Sequence, residues 1–470
     1  MFAHHPRNIF IHKNRRGSLS FLAGILVVGG LFFYSHLAKA VPSYARQTGQ
    51  NCAACHAGGQ FPELNQFGRL FKLTGYTIGE QTNPFAIMMV ADYTKTRTNN
   101  DSSGATISPK DAKVLADFGS VFVAGKVTNN VGIFSQFTYT NYDHQDVNNN
   151  KWVGRLGSDN FDLRYADQAK EGGVIWGVTL HNNPTVQDVW NSSPAWGYPY
   201  AKSPLGVGSG VPFTTLIEGG LTSNVAGVGA YAYFNQHVYA ELTGYQTAKN
   251  IFSVLSMGSH MNNSNGSVLA NISGIAPYAR LAYSNDWDSS SMMVGMFGLD
   301  MKLRPLDGTA TTTDFGAAST HYRDIGIDGQ YQYLAEPHTW TAHFRYAHER
   351  VSDNYTALGF SGPVTLNSLK MKASYVYQQT YGASLAYTRV TGTSDSGYGN
   401  GSVAVTSSMN GSPNSIMWTP EVFWMPTQNI RVGLQYNYFT RYLGASSNYD
   451  GSGRSAKDNN TTYAYAWFAF

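Results

Sequence analysis

The chain has 470 residues, of which 13% are charged and 14% aromatic, with 31 Tyr, 49 Gly and a formal charge of +3 at pH 7. The charged fraction is about half of what soluble domains carry, and the net charge is too small to indicate a nucleic-acid or other acidic partner. Beyond residue 40 no apolar stretch reaches the length of a membrane helix, so this composition indicates strands that alternate between lipid and a polar interior.

The first 40 residues have the pattern of a secretory signal peptide. Basic residues precede an apolar run and a small-x-small cleavage site: Lys13, Arg15, Arg16, Leu19–Phe33 and Ala38-Lys39-Ala40. We expect cleavage after Ala40, by the general secretory route or, given the paired arginines, by twin-arginine export. The alternative is an uncleaved inner-membrane anchor, for which the run is short against the roughly 20 residues of a bilayer span.

Residues 52–56 read Cys-Ala-Ala-Cys-His, and Cys52 and Cys55 are the only cysteines in the chain. This is the attachment pattern of a c-type haem, in which both thiols bind the vinyl groups and His56 is the proximal iron ligand. A zinc site needs two further ligands, and no other cysteine exists to supply them. A redox dithiol is expected beside a βαβ pattern, which is absent. The motif therefore predicts one covalently attached haem c.

The haem segment, residues 41–84, is too short to fold alone, since chains below about 40–50 residues rarely bury enough surface. An apolar stripe at helical spacing follows the motif, with Pro62 near its first turn, Gly68 inside it and Gly75 as its C-cap: Phe61, Leu64, Phe67, Leu70 and Phe71. We expect this stripe to face the haem. Arg46, Arg69 and Lys72 are candidates for pairing with the haem propionates, although ordinary solvated charges explain them equally well.

The sixth iron ligand is not contained in this segment, because no His or Met occurs from Ala57 to Ile87. Either the iron is five-coordinate or a residue further along the chain completes it. Met88 is the first candidate, since it shares a strand face with Asp92 and is expected to point inward, while Met89 points to lipid. His343 is a second inward-facing option. Ordinary packing is an equally good explanation for Met88.

After Pro84 the sequence shows about sixteen short segments with period-two alternation, each typical of a strand. Clear examples run from Trp340 to Tyr346, from Leu369 to Tyr377 and from Ile430 to Tyr438. The segments begin near residues 85, 114, 131, 161, 174, 225, 238, 276, 291, 321, 339, 368, 381, 415, 429 and 461.

Connections between these segments alternate between long and short. Short ones include Asn129-Asn130 and residues 171–173, and long ones include residues 183–220, 247–275 and 351–367. Outer-membrane barrels have an even strand count, tight periplasmic turns and longer outer loops. Residues 85–470 are therefore predicted to form an all-β, antiparallel outer-membrane barrel of about 16 strands, whose first strand starts and whose last strand ends on the periplasmic side.

The last strand ends in an apolar alternate set that resembles the assembly signal of outer-membrane barrels: Thr462, Ala464, Ala466, Phe468 and Phe470. A soluble β-sandwich is the alternative, but such an edge would aggregate in water and sixteen strands exceed one sandwich. Inward charges are expected along the strands, as a wet lumen requires: Asp92, Asp162, Arg164, Glu241, Arg280, Arg345, Lys370, Lys372 and Arg431. Because large barrels leave a channel and some hold plugs, residues 41–84 are predicted to plug the lumen.

The stretches VPSYARQTGQNCAACH (residues 41–56) and FPELNQFGRLFKLTGY (residues 61–76) resemble the fused monohaem cytochrome c–porins of bacterial outer membranes, which include iron(II) oxidases. The resemblance is specific over these residues and only architectural across the barrel. It implies that Cys52 and Cys55 form the thioethers and that His56 is the proximal ligand. It also implies transfer of electrons from an extracellular donor, commonly Fe(II), to a periplasmic c-type cytochrome or other acceptor, an iron(II):cytochrome c oxidoreductase activity.

Two other functions are compatible with the sequence. One is a diffusion porin in which the haem segment senses redox state or serves as a structural plug. The other is a haem-bearing structural barrel that docks a separate periplasmic enzyme. The sequence contains no cluster spaced as a dedicated metal site, and no nucleophile triad, phosphate-binding loop or nucleic-acid patch.

Overall fold

The computed structural model describes residues 43–59, 62–146, 151–169, 173–191, 207–221, 224–256, 271–304, 318–399 and 407–470. From Val41 to Phe470 the chain forms one compact unit. The predicted signal peptide, residues 1–40, lies outside the described residues, as does Phe61 of the predicted helical stripe.

Within the described ranges, sixteen antiparallel strands close into a barrel in which each strand pairs with its sequence neighbours and β1 pairs with β16. In chain order they are Phe85–Thr96 (β1), Lys113–Lys126 (β2), Val131–Gln145 (β3), Trp152–Gln168 (β4), Ile175–His181 (β5), Val225–Phe234 (β6), Val238–Thr247 (β7), Ala276–Trp287 (β8), Ser290–Leu303 (β9), Thr320–Ala335 (β10), His338–Ser352 (β11), Val364–Tyr377 (β12), Tyr381–Gly392 (β13), Ser415–Thr427 (β14), Ile430–Arg441 (β15) and Thr461–Ala469 (β16). The predicted sixteen-stranded barrel is confirmed.

Two predicted strand starts are wrong by several residues. Strand β4 begins at Trp152 and not near 161, and β12 begins at Val364 and not near 368. Both strands begin before the apolar alternation does, because the neighbouring strand is already there to pair with. Gln145 pairs with Trp152, and Val351 pairs with Val364. Backbone hydrogen bonds to the neighbouring strand therefore form in stretches whose side-chain hydrophobicity does not indicate a strand.

Side chains alternate between the lumen and the exterior along most strands, as in the burial pattern of β1, whereas β2 and β4 depart from strict alternation. The predicted inward charges are buried on the lumen side, among them Asp162, Arg164 and Arg345. Exposed positions on the strands are largely apolar or aromatic, including Ile87, Met89, Leu242, Ile325, Val422, Leu434 and Tyr438. An apolar exterior around a polar interior is the pattern of a transmembrane β-barrel.

The connections divide the barrel into a short-turn side and a long-loop side. Tight connections join β2 to β3, β6 to β7, β8 to β9 and β10 to β11, whereas long ones join β1 to β2, β5 to β6 and β7 to β8. The chain ends of the barrel meet on the short-turn side, where Ile87 and Phe470 exchange two backbone hydrogen bonds of 2.8 Å. Both features agree with the predicted phase.

Helices are few and short. They are Ser43–Thr48 (α1), Cys52–Cys55 (α2), Gln66–Leu73 (α3) and Pro184–Gln187 (α4), with 3₁₀ turns at Ala57–Gly59, Val207–Ser209, Leu216–Glu218, Asn250–Leu255, Tyr355–Leu358, Ser396–Gly399 and Ala456–Asn459. None of the helices in the described part of the chain is long and apolar enough to cross a membrane.

The segment before β1, described over residues 43–59 and 62–84, is called here the plug segment. Its side chains and backbone bond to inward-facing residues on opposite sides of the wall: Asp162 on β4, Tyr231 on β6, Asp286 on β8, Gln332 on β10 and Lys372 on β12. Because these partners surround it, the plug segment lies within the lumen.

Candidate functional site

The Cys-Ala-Ala-Cys-His run forms a single helical turn and its exit. Asn51 caps α2 by accepting a 3.0 Å hydrogen bond from the Ala54 N–H on its side chain. Cys52 and Cys55, three residues apart, lie on the same side of that turn, and neither is in a disulfide. His56 follows the helix in an extended conformation, and its backbone N–H donates a hydrogen bond to the Cys52 carbonyl at 2.9 Å.

The helix that follows is shorter than the apolar stripe predicts. It begins only after Asn65, whose side chain accepts from the Gly68 N–H, while Leu64 pairs with His56 in an extended bridge. Leu70 is wrong as a core position because it is 40% exposed, whereas Phe71 is buried. Gly75 takes the left-handed conformation (φ 72°) just past the helix end, as predicted for a C-cap glycine.

Gly68 explains how α3 approaches the cysteine helix so closely. A Cβ at this position would lie 2.2 Å from the Cys55 carbonyl oxygen, and the Asn65 N–H already donates to the same oxygen at 2.9 Å. The Asn65 side chain also donates to the Ala53 carbonyl at 3.0 Å. The glycine is therefore the contact surface between α2 and α3.

We expect Gly68→Ala to force these two helices apart. Overpacking of this kind costs about 1–3 kcal/mol, so local opening of the plug segment should increase at least about 5-fold, measured as amide hydrogen exchange in α3. The matched control is Gly362→Ala, because an added Cβ there meets no atom within 4 Å. Equal protection in both variants would contradict the tight contact.

A cavity of about 390 Å³ lies between the plug segment and the barrel wall. Cys52, Cys55 and His56 line it from the plug side. Its remaining lining is mainly apolar and aromatic, from both the plug segment and the wall: Tyr44, Leu64, Phe71, Tyr76, Met88, Phe118, Phe122, Phe134 and Trp467. Its volume falls within the range of about 300–1,000 Å³ for cofactor and ligand pockets.

Met88 and Met89 point as predicted. Met88 is 5% exposed and lines the cavity, while its neighbour Met89 is 56% exposed on the barrel exterior. Among the described lining residues, His56 is the one imidazole and Met88 the one thioether. His343 also faces inward, but it does not line this cavity and its Nδ1 lies 3.8 Å from a Glu63 carboxylate oxygen.

The three basic candidates differ in their surroundings. Lys72 lines the cavity and donates to the Asp188 carbonyl at 2.6 Å and to the Asn191 side chain at 2.9 Å. Arg69 does not line it, and its guanidinium pairs with Asp286 at 2.5 Å. Arg46 donates to the Phe85 carbonyl. The structure thus leaves Lys72 as the basic group that reaches the cavity.

Burial sets the protonation of the motif. It lowers the pKa of His56 to about 4, an effect that a hydrogen bond to the Glu63 backbone partly offsets, so the imidazole is neutral at pH 7. Burial, and then the neighbouring Cys52, raise the pKa of Cys55 to about 11. Burial also lowers the pKa of Lys72 to about 7. A neutral imidazole held through backbone is the form in which histidine ligates metals.

The plug segment is fixed to the wall by buried polar contacts that the sequence does not reveal. Tyr76 donates to Asp162 at 2.6 Å, and Asp162 also forms a 2.8 Å ion pair with Arg164, neither side chain being exposed. Arg164 in turn donates to the Lys72 carbonyl at 3.2 Å. On the far side, Lys372 pairs with Glu63 at 2.8 Å. Only the distant pairing of strands brings these residues together.

The first ten residues of the β5–β6 connection also enter the lumen. Residues 182–191, called here the inward loop, are buried, with Trp190 2% exposed. The Asn191 side chain donates to the Pro62 carbonyl at 2.6 Å, and the Gln187 carbonyl accepts from Arg164 at 2.8 Å. The sequence predicts this stretch only as a long outer connection, because its inward course depends on partners far along the chain.

The chain is similar to solved structures of outer-membrane proteins, at low sequence identity. Neither a protein-family model nor a curated protein sequence matches this chain. Solved structures that it is similar to include OmpT of Vibrio cholerae with loop L8 deleted (11% identity, 82% of this chain and 98% of that chain, TM-score 0.44), OmpF of Salmonella typhi in complex with daunomycin (13%, 82% and 97%, 0.45) and the outer-membrane channel DcaP of Acinetobacter baumannii (11%, 82% and 96%, 0.46). At these values the likeness carries no conclusion about function, and the barrel is established by its own strand pairing.

Proposed function

We propose that this protein is an outer-membrane electron-transfer protein that carries electrons from an extracellular donor, Fe(II), through one covalently bound haem c to a periplasmic c-type cytochrome. The observation that carries the proposal is the cavity shared by the Cys-Ala-Ala-Cys-His turn and the inner wall of a closed barrel. Cys52 and Cys55 would hold the haem as thioethers, His56 would be the proximal ligand and Met88 the distal one.

The residues around the cavity fit such a group. Both thiols are outside any disulfide, and both they and His56 line one apolar space. Aromatic side chains from β2, β3 and β16 provide walls that the plug segment is too short to supply. When bound, a c-type haem takes up and releases one electron at a time. Lys72 lines the cavity and would pair with a haem propionate. The negative propionate would favour the protonated ammonium of Lys72, which burial alone disfavours.

The position of the cavity supports transfer toward the periplasm. Cys52 lies beside the β14–β15 turn on the short-turn side, where its N–H donates to the Gln428 side chain at 3.2 Å. Asn51 and Gln428 are exposed, so an acceptor can approach the motif from this side. In outer-membrane barrels the short turns face the periplasm. One Fe(II) ion is oxidised to Fe(III) for each electron delivered to that acceptor.

Stopped-flow spectroscopy of the purified protein tests the proposal. Excess Fe(II) at the native pH should convert the oxidised haem spectrum to the reduced one in a single phase. A protein that contains haem but stays oxidised under these conditions would remove Fe(II) as the donor. A protein purified from a haem-c-competent host without any covalent haem would remove the proposal entirely.

Met88→Ala tests the distal ligand. A thioether on the axial position raises the haem potential, so its loss should lower the midpoint potential by on the order of 100 mV, a modest part of the range that axial ligands span. Met89→Ala is the matched control, because this neighbour faces the exterior. Redox titration of both variants should show a shift in Met88→Ala only; an unchanged potential would indicate that Met88 merely packs in the cavity.

A diffusion channel with a structural plug is the second candidate, because barrels of 16 strands commonly leave an aqueous pore. Liposome swelling distinguishes it from the first. Passage of small sugars through the intact protein would favour the channel. Because the plug segment and the inward loop fill the lumen, we expect no sugar to pass.

A further inference from the structure

Half of the buried carboxylates among the described residues form an ion pair with a cation. Examples are the pairs Asp162–Arg164, Asp328–Arg280, Glu218–Arg345, Glu63–Lys372 and Glu421–Arg431. Asp92 and Asp117 differ: they are 3% and 0% exposed, they interact directly with one another, and neither forms an ion pair with a described residue. Buried charges in proteins are paired or coordinate metals, so this pair requires an explanation.

A β-bulge brings Asp117 into the lumen. The register of β1 against β2 passes from Val90 opposite Phe118 to Ala91 opposite Ala116, which leaves Asp117 as the extra residue. Both Asp117 and the cavity-lining Phe118 then turn inward. Bulges are frequent beside functional sites, where they redirect a side chain. Without this bulge strict alternation would not place the two neighbours on one face.

Tyr463 provides a second, independent observation. It is 2% exposed, its hydroxyl has no hydrogen-bond partner within the described part of the chain, and it interacts electrostatically with both carboxyl groups. Apart from their contact with one another, Oδ2 of Asp92 and both carboxylate oxygens of Asp117 likewise accept no hydrogen bond from a described residue. Buried polar atoms are normally satisfied, so the missing donors and acceptors around this carboxyl pair call for a ligand.

We propose that Asp92, Asp117 and Tyr463 form a binding site for one hard divalent cation in the barrel lumen. Two carboxylates match the charge of such an ion, and Thr94, whose hydroxyl donates to Asp92 at 3.4 Å, adds a further oxygen. Oxygen-only donors select the Mg²⁺, Ca²⁺, Mn²⁺ and Fe²⁺ class over soft metals. The described residues contain no group of three or more His, Cys, Asp or Glu suited to a metal, so this is a two-carboxylate site that water completes, as is common for Mg²⁺.

The site lies on the long-loop side of the cavity that Met88 lines. Asp92 is four residues beyond Met88 on β1, which corresponds to about 13 Å along the strand. A cation here is either a resident ion that neutralises the wall or the Fe(II) donor itself. The inference does not depend on the proposed function, since the cation chemistry is the same in both cases.

Binding of Mn(II) to the detergent-purified, chelator-treated full protein, followed by electron paramagnetic resonance, tests the site. The variant Asp92→Asn/Asp117→Asn should lose affinity for one Mn(II) by about 100-fold or more, because loss of a supporting contact alone costs 10–100-fold. The matched control is Asp324→Asn. Asp324 belongs to another buried carboxyl pair, but its Oδ2 accepts from the Ile217 N–H at 2.8 Å, a contact that Asn retains.

Loss of Mn(II) confined to the double variant supports the site. Equal affinity in wild type and double variant, absence of bound Mn(II) in wild type, or an equal loss in Asp324→Asn would overturn it. Heat-modifiable migration on a denaturing gel verifies that each variant forms a barrel. Asn keeps the volume of Asp and removes the ionisable group. A raised KM for Fe(II) in the double variant would identify the donor as the occupant, and an unchanged rate beside lost Mn(II) binding would identify a resident ion.

Discussion

Deletion of residues 43–80 is expected to convert a closed barrel into an open channel. The sixteen strands pair among themselves, so the wall does not depend on the plug segment for its ladder hydrogen bonds. A barrel of this size leaves an aqueous lumen when nothing fills it. Single-channel recording in a planar bilayer should show large stable conductance steps for the deletion variant and none for the intact protein.

The matched control for that experiment is Cys52→Ala/Cys55→Ala, which keeps the plug segment and removes only the thiols. Contacts such as Tyr76 with Asp162 and Lys372 with Glu63 do not involve the cysteines. This variant should therefore remain closed. Open steps in the control would show that a cofactor, and not the polar contacts, holds the segment in the lumen.

The same cysteine variant should lack covalent haem completely. Thioether bonds require the two thiols, and the chain has no other cysteine to replace them. Haem-dependent peroxidase staining of a denaturing gel, together with the intact mass of the purified protein, measures attachment directly. The expected result is a mass without haem and no stain, against one haem per wild-type chain.

Ala54→Ser is the matched control for attachment, since it changes α2 but preserves both thiols, His56 and the backbone N–H that Asn51 caps. It should carry haem at the wild-type level. If the wild-type protein and this control are both free of haem in a competent host, the Cys-Ala-Ala-Cys-His turn has another role and Met88 lines an ordinary packing cavity.

The strands could be predicted from the sequence because lipid and lumen impose opposite demands on alternate residues. That signal is strong in β15, where Val432, Leu434 and Tyr436 face outward. It fails at the start of β4, where Gly154 and Gly157 interrupt it and backbone pairing with β3 continues the strand. It also cannot reveal the bulge at Asp117, which changes the face of one residue without changing the composition.

The candidate site could be predicted only in its covalent part. Cys52, Cys55 and His56 form a contiguous motif, and Met88 follows from strand alternation. The apolar stripe predicted Leu70 as a buried position, but Leu70 is exposed. The helix begins only after Asn65, later than the apolar spacing suggests. Contacts between the plug segment and distant strands depend on barrel closure, which no local pattern encodes.

Proteoliposomes that enclose an oxidised c-type cytochrome test the central claim most directly, with the protein oriented so that its long loops face outward. Fe(II) added outside should reduce the enclosed cytochrome through wild type, and not through Cys52→Ala/Cys55→Ala, while small sugars stay excluded from both. An enclosed cytochrome that stays oxidised through haem-loaded wild type, while sugars enter freely, would contradict electron transfer and leave a diffusion channel.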